Sequence, residues 1–263
     1  MSFSFRSILA VWCVMTFALS GSPDAQGANL VGNGQFTDYT TGSQGIGWVL
    51  LTAGQSTYHY STLGTWDPAT TGTAEALIDG TTGLSWDPYY GQYDNFSYLL
   101  TNQPAGNFIA LDADAASGYA TDLSQSLTGL TAGHQYSVNF SWGGKGSSFD
   151  TYERFVVSLG NQTQYTTDGT YHLNGGTYLS TPAGTFSGWL NTTLTFTANQ
   201  ATEVLNFTGQ GGPVGLPPFL FLGDVSVTDT SPVPEPSSAI LAGVGMIAIA
   251  FARYRRSSKA AKA

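Results

Sequence analysis

Two Trp-Asp-Pro units stand 20 residues apart, Trp66-Asp67-Pro68 and Trp86-Asp87-Pro88, and the second runs straight into Tyr89 and Tyr90. With Tyr58-His59-Tyr60, Tyr93, Phe96 and Tyr98 they make residues 58–98 rich in flat rings and poor in aliphatic side chains. Indole and phenol faces on polar loops stack on sugar rings, while neighbouring carboxylates bond the hydroxyls. Trp66, Asp67, Trp86, Asp87, Tyr89 and Tyr90 are therefore the candidate carbohydrate platform. A plainer reading stands beside it: Asp-Pro makes turns, and the tryptophans plug one end of a β-sandwich. Rings on loops favour binding, whereas rings beneath a sheet do not.

Other constellations are thinner. Asp112 and Asp114 are two apart at a strand end, so both side chains can face one side. Paired carboxylates hydrolyse glycosides when they straddle the bond some 5–9 Å apart, which neighbours on one strand cannot do. They read as solvated acids, with a cation site as the alternative. His59, His134 and His172 stand singly, none at metal-ligand spacing, and His134 reads as a solvated turn residue. The chain contains no Gly-x-Ser-x-Gly elbow and no glycine loop of the phosphate-cradling kind. No catalytic residue and no cofactor is expected.

Charge narrows the partners. Of eight Lys and Arg, only Lys145 and Arg154 lie between residues 28 and 236, against 16 Asp and Glu, a formal charge of −14. Such a body repels phosphate backbones and excludes nucleic acid as a partner. The one cysteine, Cys13, sits in an apolar run near the amino terminus, so the rest of the chain has no disulfide and no thiolate ligand.

Period-two alternation, not a helical stripe, runs through residues 28–231. Tyr136, Val138, Phe140 and Trp142 share one strand face, and Leu190, Thr192, Leu194 and Phe196 share another. Leu123–Leu127, a turn from Gly129 to Gly133 and the strand from Gln135 read as one hairpin. Arg154–Leu159 and Gln162–Tyr165 flank Gly160-Asn161, a favourable two-residue loop. With Asn29–Phe36, Trp48–Leu51, Phe108–Leu111, Val204–Phe207 and Phe219–Val227, about nine or ten strands are expected. The expected fold is all-β, a single antiparallel β-sandwich of jelly-roll kind, over residues 28–230.

Each end of the chain reads as an address. Arg6, an apolar run from Ile8 to Leu19 and Gly21-Ser22-Pro23 have the layout of a secretory signal peptide, expected over residues 1–27. At the other end, prolines 232, 234 and 236 forbid a helix, and Ser237–Ala252 gives 16 uncharged residues. As a helix they reach roughly 24 Å, short of a bilayer core of about 30 Å but spanning with snorkelling arginines. Arg253, Arg255, Arg256, Lys259 and Lys262 follow with no acid, which keeps residues 257–263 as a basic cytoplasmic tail. A permanent tail anchor and a GPI-type signal are the alternatives, the latter disfavoured by the basic end.

Val233, Pro234, Glu235 and Pro236, then an apolar span, then Arg253, Arg255 and Arg256 closely resemble the PEP-CTERM sorting signal of Gram-negative bacteria over residues 231–256. That resemblance implies recognition by an exosortase, removal of the tail, and release or attachment at the cell surface after Sec export. It also associates the body with extracellular polysaccharide and biofilm matrix.

The body resembles galactose-binding-like jelly rolls, with Asn29–Phe36 as opening strand, Gly223–Val227 as closing strand, and Gly106–Asp112 and Tyr136–Trp142 between. This resemblance implies a structural calcium near the paired terminal strands; Thr37 and Gly223 stand where the family carries acids, which leaves Asp38 and Asp224 as the candidate ligands. The functional expectation is a non-catalytic structural or carbohydrate-contacting surface protein. A secreted glycan hydrolase and a protein-binding adhesin are the alternatives.

Overall fold

The computed structural model describes residues 27–41, 48–51, 60–68, 73–87, 92–113, 122–146, 148–167, 169, 171–173, 175–213 and 218–231, with Met246 and Ile249. Residues 26–231 form one compact unit, and the two chain ends fall outside it. The expected signal peptide and the membrane span lie almost wholly outside the described residues. Among the described residues no helix is long and apolar enough to cross a membrane.

The first nine strands are β1 (Thr40–Thr41), β2 (Trp48–Leu51), β3 (Tyr60–Thr62), β4 (Asp67–Pro68), β5 (Thr73–Ile78), β6 (Leu84–Asp87), β7 (Gln92–Asn95), β8 (Phe108–Asp112) and β9 (Asp122–Thr128). The rest are β10 (Gln135–Lys145), β11 (Thr151–Leu159), β12 (Gln162–Tyr165), β13 (Tyr171–Leu173), β14 (Gly176–Thr181), β15 (Leu190–Thr197), β16 (Thr202–Gly212) and β17 (Phe219–Asp229). One sheet runs β15-β10-β17-β8-β5-β2; the other runs β13-β14-β11-β16-β9-β4, with β12 beside β11. Every pairing is antiparallel. The protein is thus all-β, two antiparallel sheets face to face as in a jelly roll.

Alternation along the strands decides which side chains meet between the sheets. On β10, Tyr136, Val138, Phe140 and Trp142 turn inward, and on β11 Phe155, Val157 and Leu159 answer them. Phe140 meets Phe207 of β16 edge-on at 5.1 Å, and Trp142 meets Phe155 at 5.9 Å and 77°. The Trp142 indole N–H, the one polar atom that ring carries inward, donates to Thr192 Oγ1 at 2.9 Å.

Two expectations need correction. The run Leu123–Leu127 and the strand from Gln135 are not a hairpin: β9 pairs with β16 and β4, while β10 pairs with β15 and β17. The chain crosses between sheets at Gly129–Gly133, where both glycines adopt positive φ. Alternation alone cannot tell a hairpin from a corner, because both present the same inward face. Asn29–Phe36 is not a regular strand either. It touches β17 through Leu30 N–H to Val227 and Val225 N–H to Gly34, then breaks at Asn33 and Phe36, where φ is 50° and 53°. Buried Gln125 holds it to the seven-stranded sheet, bonding both the N–H and the carbonyl of Gly32.

A second cluster covers part of the outer face of the six-stranded sheet. Ala76, Ile78, Phe108, Ala110 and Phe221 point outward there and are buried under Phe96 and Leu99, with Tyr98, Phe186 and Trp189 around them. The free edge of β15 is closed by side chains: Gln162 and Gln164 donate to the carbonyls of Thr197 and Thr195, so an exposed strand edge is not left unpaired.

Phe207 lies against Trp66, Phe140 and Phe155. Phe207→Ala is expected to cost about 3–5 kcal/mol and lower the melting temperature by roughly 10 °C. A thermal melt unchanged by the substitution would contradict the assigned packing.

Candidate functional site

The aromatic segment divides between core and surface. Trp66 is 2% exposed, wedged between Phe36 and Phe207, and its indole N–H donates to the Asn33 carbonyl at 3.1 Å. Its expectation as a sugar platform is corrected: β4 lies at the sheet end, and the ring closes the core there. Asp67 beside it is exposed. Phe96 is buried in the second cluster, and Tyr98 is largely so. Burial raises the Tyr98 phenol well above its usual value, with Asp94 adding to the effect. The backbone of Trp86 and Asp87 lies in β6, opposite Tyr93 and Gln92. The side chains of Trp86 and Asp87, and all of Tyr89 and Tyr90, lie outside the described residues, as do Val233, Pro234, Glu235, Pro236, Arg253, Arg255 and Arg256.

Asp38 and Asp224 flank the same loop. The Asp38 N–H donates to Asn33 Oδ1 at 2.8 Å, and Asp224 Oδ1 accepts from the Gln35 amide at 3.3 Å. Calcium takes six to eight oxygens. Among the described residues no group of three acidic, His or Cys side chains converges, and one of these two carboxylates already faces an amide N–H. His134 lies in a turn, as expected, and is partly exposed, with its Nδ1 2.7 Å from Asp229 Oδ2. That contact and the N–H of Ser231 hold the Asp229 carboxyl below the usual range although partial burial pushes the other way.

The open face of the seven-stranded sheet carries a cluster that no sequence motif announced. Residues 151–159 alternate inward and outward, which puts Tyr152 and Arg154 on the outer face. The register places Tyr152 opposite Gly212 and Ser180, Arg154 opposite Gln210, and Tyr165 opposite Val156, the next outward residue of β11. Tyr171 of β13 stands opposite Tyr178 of β14. The Arg154 guanidinium lies 4.1 Å from the Tyr165 ring centre and 4.2 Å from that of Tyr178, and its Nε donates to Gln210 Oε1 at 2.7 Å. Tyr152 stacks on Tyr171 at 5.1 Å and 24° and meets Tyr178 edge-on. Tyr165 and Tyr171 are 43% and 39% exposed, so two of the four tyrosines reach solvent.

Glycines make room for this cluster. A Cβ at Gly176 would stand 2.5 Å from Arg154 Nη1, and one at Gly212 would stand 2.5 Å from the Tyr152 hydroxyl oxygen. Burial and the neighbouring Tyr171 and Tyr178 push the Tyr152 phenol up, which keeps its O–H as a donor. The signal that could have exposed the face was the register: Tyr165 can be placed beside Arg154 from the Gly160-Asn161 loop alone. Tyr171 and Tyr178 could not be placed, because β13 and β14 fold back on β11 through pairings that alternation does not specify.

On the opposite side of the same strand, Glu153 is fully buried between the sheets. Thr181 Oγ1 donates to its Oε1, while Oε2 has no partner. Desolvation raises its pKa from 4.5 to about 7, partly offset by hydrogen bonds from Thr181 and Thr151.

The family model of the PEP-CTERM protein-sorting motif matches residues 232–256. The carboxyl-terminal segment is therefore a PEP-CTERM sorting motif, which implies an exported protein processed by an exosortase. No curated protein matches the chain. Among solved structures, the CBM22-1 xylan-binding domain of Paenibacillus barcinonensis Xyn10C is similar at 11% identity and TM-score 0.37, over 81% of this chain and 100% of that one. The N-terminal cellulose-binding domain of Cellulomonas fimi β-1,4-glucanase C is similar at 20% identity and TM-score 0.32, over 78% and 99%. The enzymatically active domain of bacteriophage CBA120 tailspike protein 4 is similar at 12% identity and TM-score 0.34, over 76% of this chain, which spans 21% of that one.

Glu153 gives a pH test. Its raised pKa means the folded chain keeps a proton that the unfolded chain releases, so stability falls as pH rises from 4.5 to about 7 and is level above. Glu153→Gln is expected to remove that slope and to gain about 2–4 kcal/mol at pH 8. Denaturant midpoints across that range check it, and parallel profiles for the two proteins would refute the assignment.

Proposed function

We propose that this chain is an exported bacterial surface or matrix protein whose β-sandwich contacts polysaccharide without cleaving it. The observation that carries the proposal is the open face of the seven-stranded sheet, with Tyr165 and Tyr171 exposed beside Arg154 and Gln210. Sugar rings carry axial C–H groups that stack on such rings, and amide and guanidinium groups bond the hydroxyls between them. In this reading, residues 1–27 direct Sec export, and the apolar span after Pro236 holds the precursor in the inner membrane of a Gram-negative cell. An exosortase then removes the tail and leaves the sandwich at the surface or in the extracellular polysaccharide of a biofilm. Trp86, with Asp87, Tyr89 and Tyr90, is a second proposed contact.

Glycan-array binding is expected to fall about ten-fold in Tyr171→Ala and in Tyr165→Ala, each ring supplying on the order of 1 kcal/mol beyond its buried area. Trp86→Ala on the same array tests the second contact. Arrays on which the wild type binds nothing, or on which neither tyrosine variant differs, would remove the glycan reading. Mass spectrometry of the exported protein should find residues 1–27 and the basic tail both absent. An intact Arg253-to-Ala263 segment on most molecules would refute processing.

A further inference from the structure

We infer that the Arg154 face selects acidic polysaccharide, with the guanidinium as receptor for the carboxylate of a uronic acid residue held between Tyr165 and Tyr171. The inference rests on the glycan-contacting reading above and names the substrate class of that site.

Four observations carry it. Arg154 is one of two cations between residues 28 and 236, set among 16 acids, yet no carboxylate lies within ion-pair distance of it among the described residues. The fold satisfies it with two ring faces and one neutral amide instead. The other cation, Lys145, is committed differently: its Nζ donates to the carbonyls of Gly146 and Gly184 and lies 5.3 Å from the Tyr98 ring centre. Among the described residues Arg154 donates only at Nε, which leaves the four N–H groups of its two Nη atoms as a planar fork. Gly176 supplies the space that the fork occupies.

A guanidinium held against two rings and by one amide has little freedom left, so binding through its remaining N–H groups costs little rotamer entropy. The acceptor that best fits a planar fork is a planar carboxylate, bound by two parallel charge-assisted bonds. Neutral hydroxyls satisfy the same N–H groups one at a time and more weakly. The acid nearest in sequence, Glu153, faces the opposite side of β11 and does not occupy the fork. The −14 charge of residues 28–236 opposes an approaching polyanion. Its reach is limited to about 8 Å at physiological ionic strength, so it slows approach more than it weakens contact.

The test uses the exported protein with tetragalacturonate and tetramannuronate as probes, and their methyl esters as matched ligands without charge. Calorimetry is expected to show at least one acid bound about ten-fold more tightly than its ester. Arg154→Lys, which keeps the charge and loses the fork, should erase that preference while leaving ester binding in place. Arg154→Gln should do the same, with circular dichroism confirming the fold of both variants. Equal binding of acid and ester, abolished in Tyr171→Ala, would overturn this inference and leave the neutral glycan reading standing. Binding of neither acid nor ester would overturn the inference, and failure on neutral glycans as well would overturn the reading beneath it.

Discussion

The interlocked aromatic layer between the two sheets is the constraint on which everything else in residues 26–231 depends. No disulfide is possible in this unit, and the His134–Asp229 contact is half-exposed. Cohesion therefore rests on buried apolar area and on rings meeting edge to face, where packing and the ring quadrupoles act together. Phe140, Trp142, Phe155 and Phe207 form that layer, and Phe36 and Trp66 extend it to the sheet end. Because successive strand residues point to opposite faces, fixing Phe155 and Val157 inward also fixes Tyr152, Arg154 and Val156 outward. A one-residue slip of β11 would bury Arg154 and expose Phe155, so the packing of the core and the position of the surface cluster are one constraint.

The two outer faces are treated differently. On the six-stranded sheet, outward Phe108 and Phe221 would be a sticky surface, and the short helical turn Ser97–Leu100 with Phe186 and Trp189 covers them. Trp189 donates its indole N–H to the Leu99 carbonyl at 2.7 Å, which fastens the cover. On the seven-stranded sheet the cluster of rings around Arg154 has no such cover among the described residues. Rings left in solvent beside an incompletely used guanidinium support the contact surface proposed above.

The sequence made part of this legible and hid the rest for identifiable reasons. The strands at Gln135, Arg154, Leu190 and Phe219 follow from alternation, and the β11–β12 hairpin follows from its Gly160-Asn161 loop. Local pattern reports which face a residue takes, not which strand it pairs with, and so the turn at Gly129–Gly133 could be mistaken for a hairpin loop. The Trp-Asp-Pro repeat misled in a related way. Its two copies are alike in sequence, but Trp66 precedes a strand that pairs with β9 at the sheet end, and that pairing carries the ring inward. The tyrosine face was hidden because its members come from four strands, β11 to β14, whose common side appears only once the sheet order is known.

That distribution also bears on how the surface can work. Tyr152 and Arg154 sit on a central strand, flanked on one side by β16 and on the other by β12 and β14. Their backbone is held on both sides, and their side chains are held by one another. Tyr171 and Tyr165 come from β13 and β12, strands each paired on one side only, so their backbone is less constrained by the sheet than that of β11. In the proposed reading, a rigid centre flanked by two rings on singly paired strands suits a ligand that repeats along its length, because one unit can be fixed while the next finds its stacking distance. Rigid groups lose little entropy on binding and set selectivity, whereas a looser neighbour tolerates variation in linkage. A polymer is held at many points on the chain, so each contact can be weak.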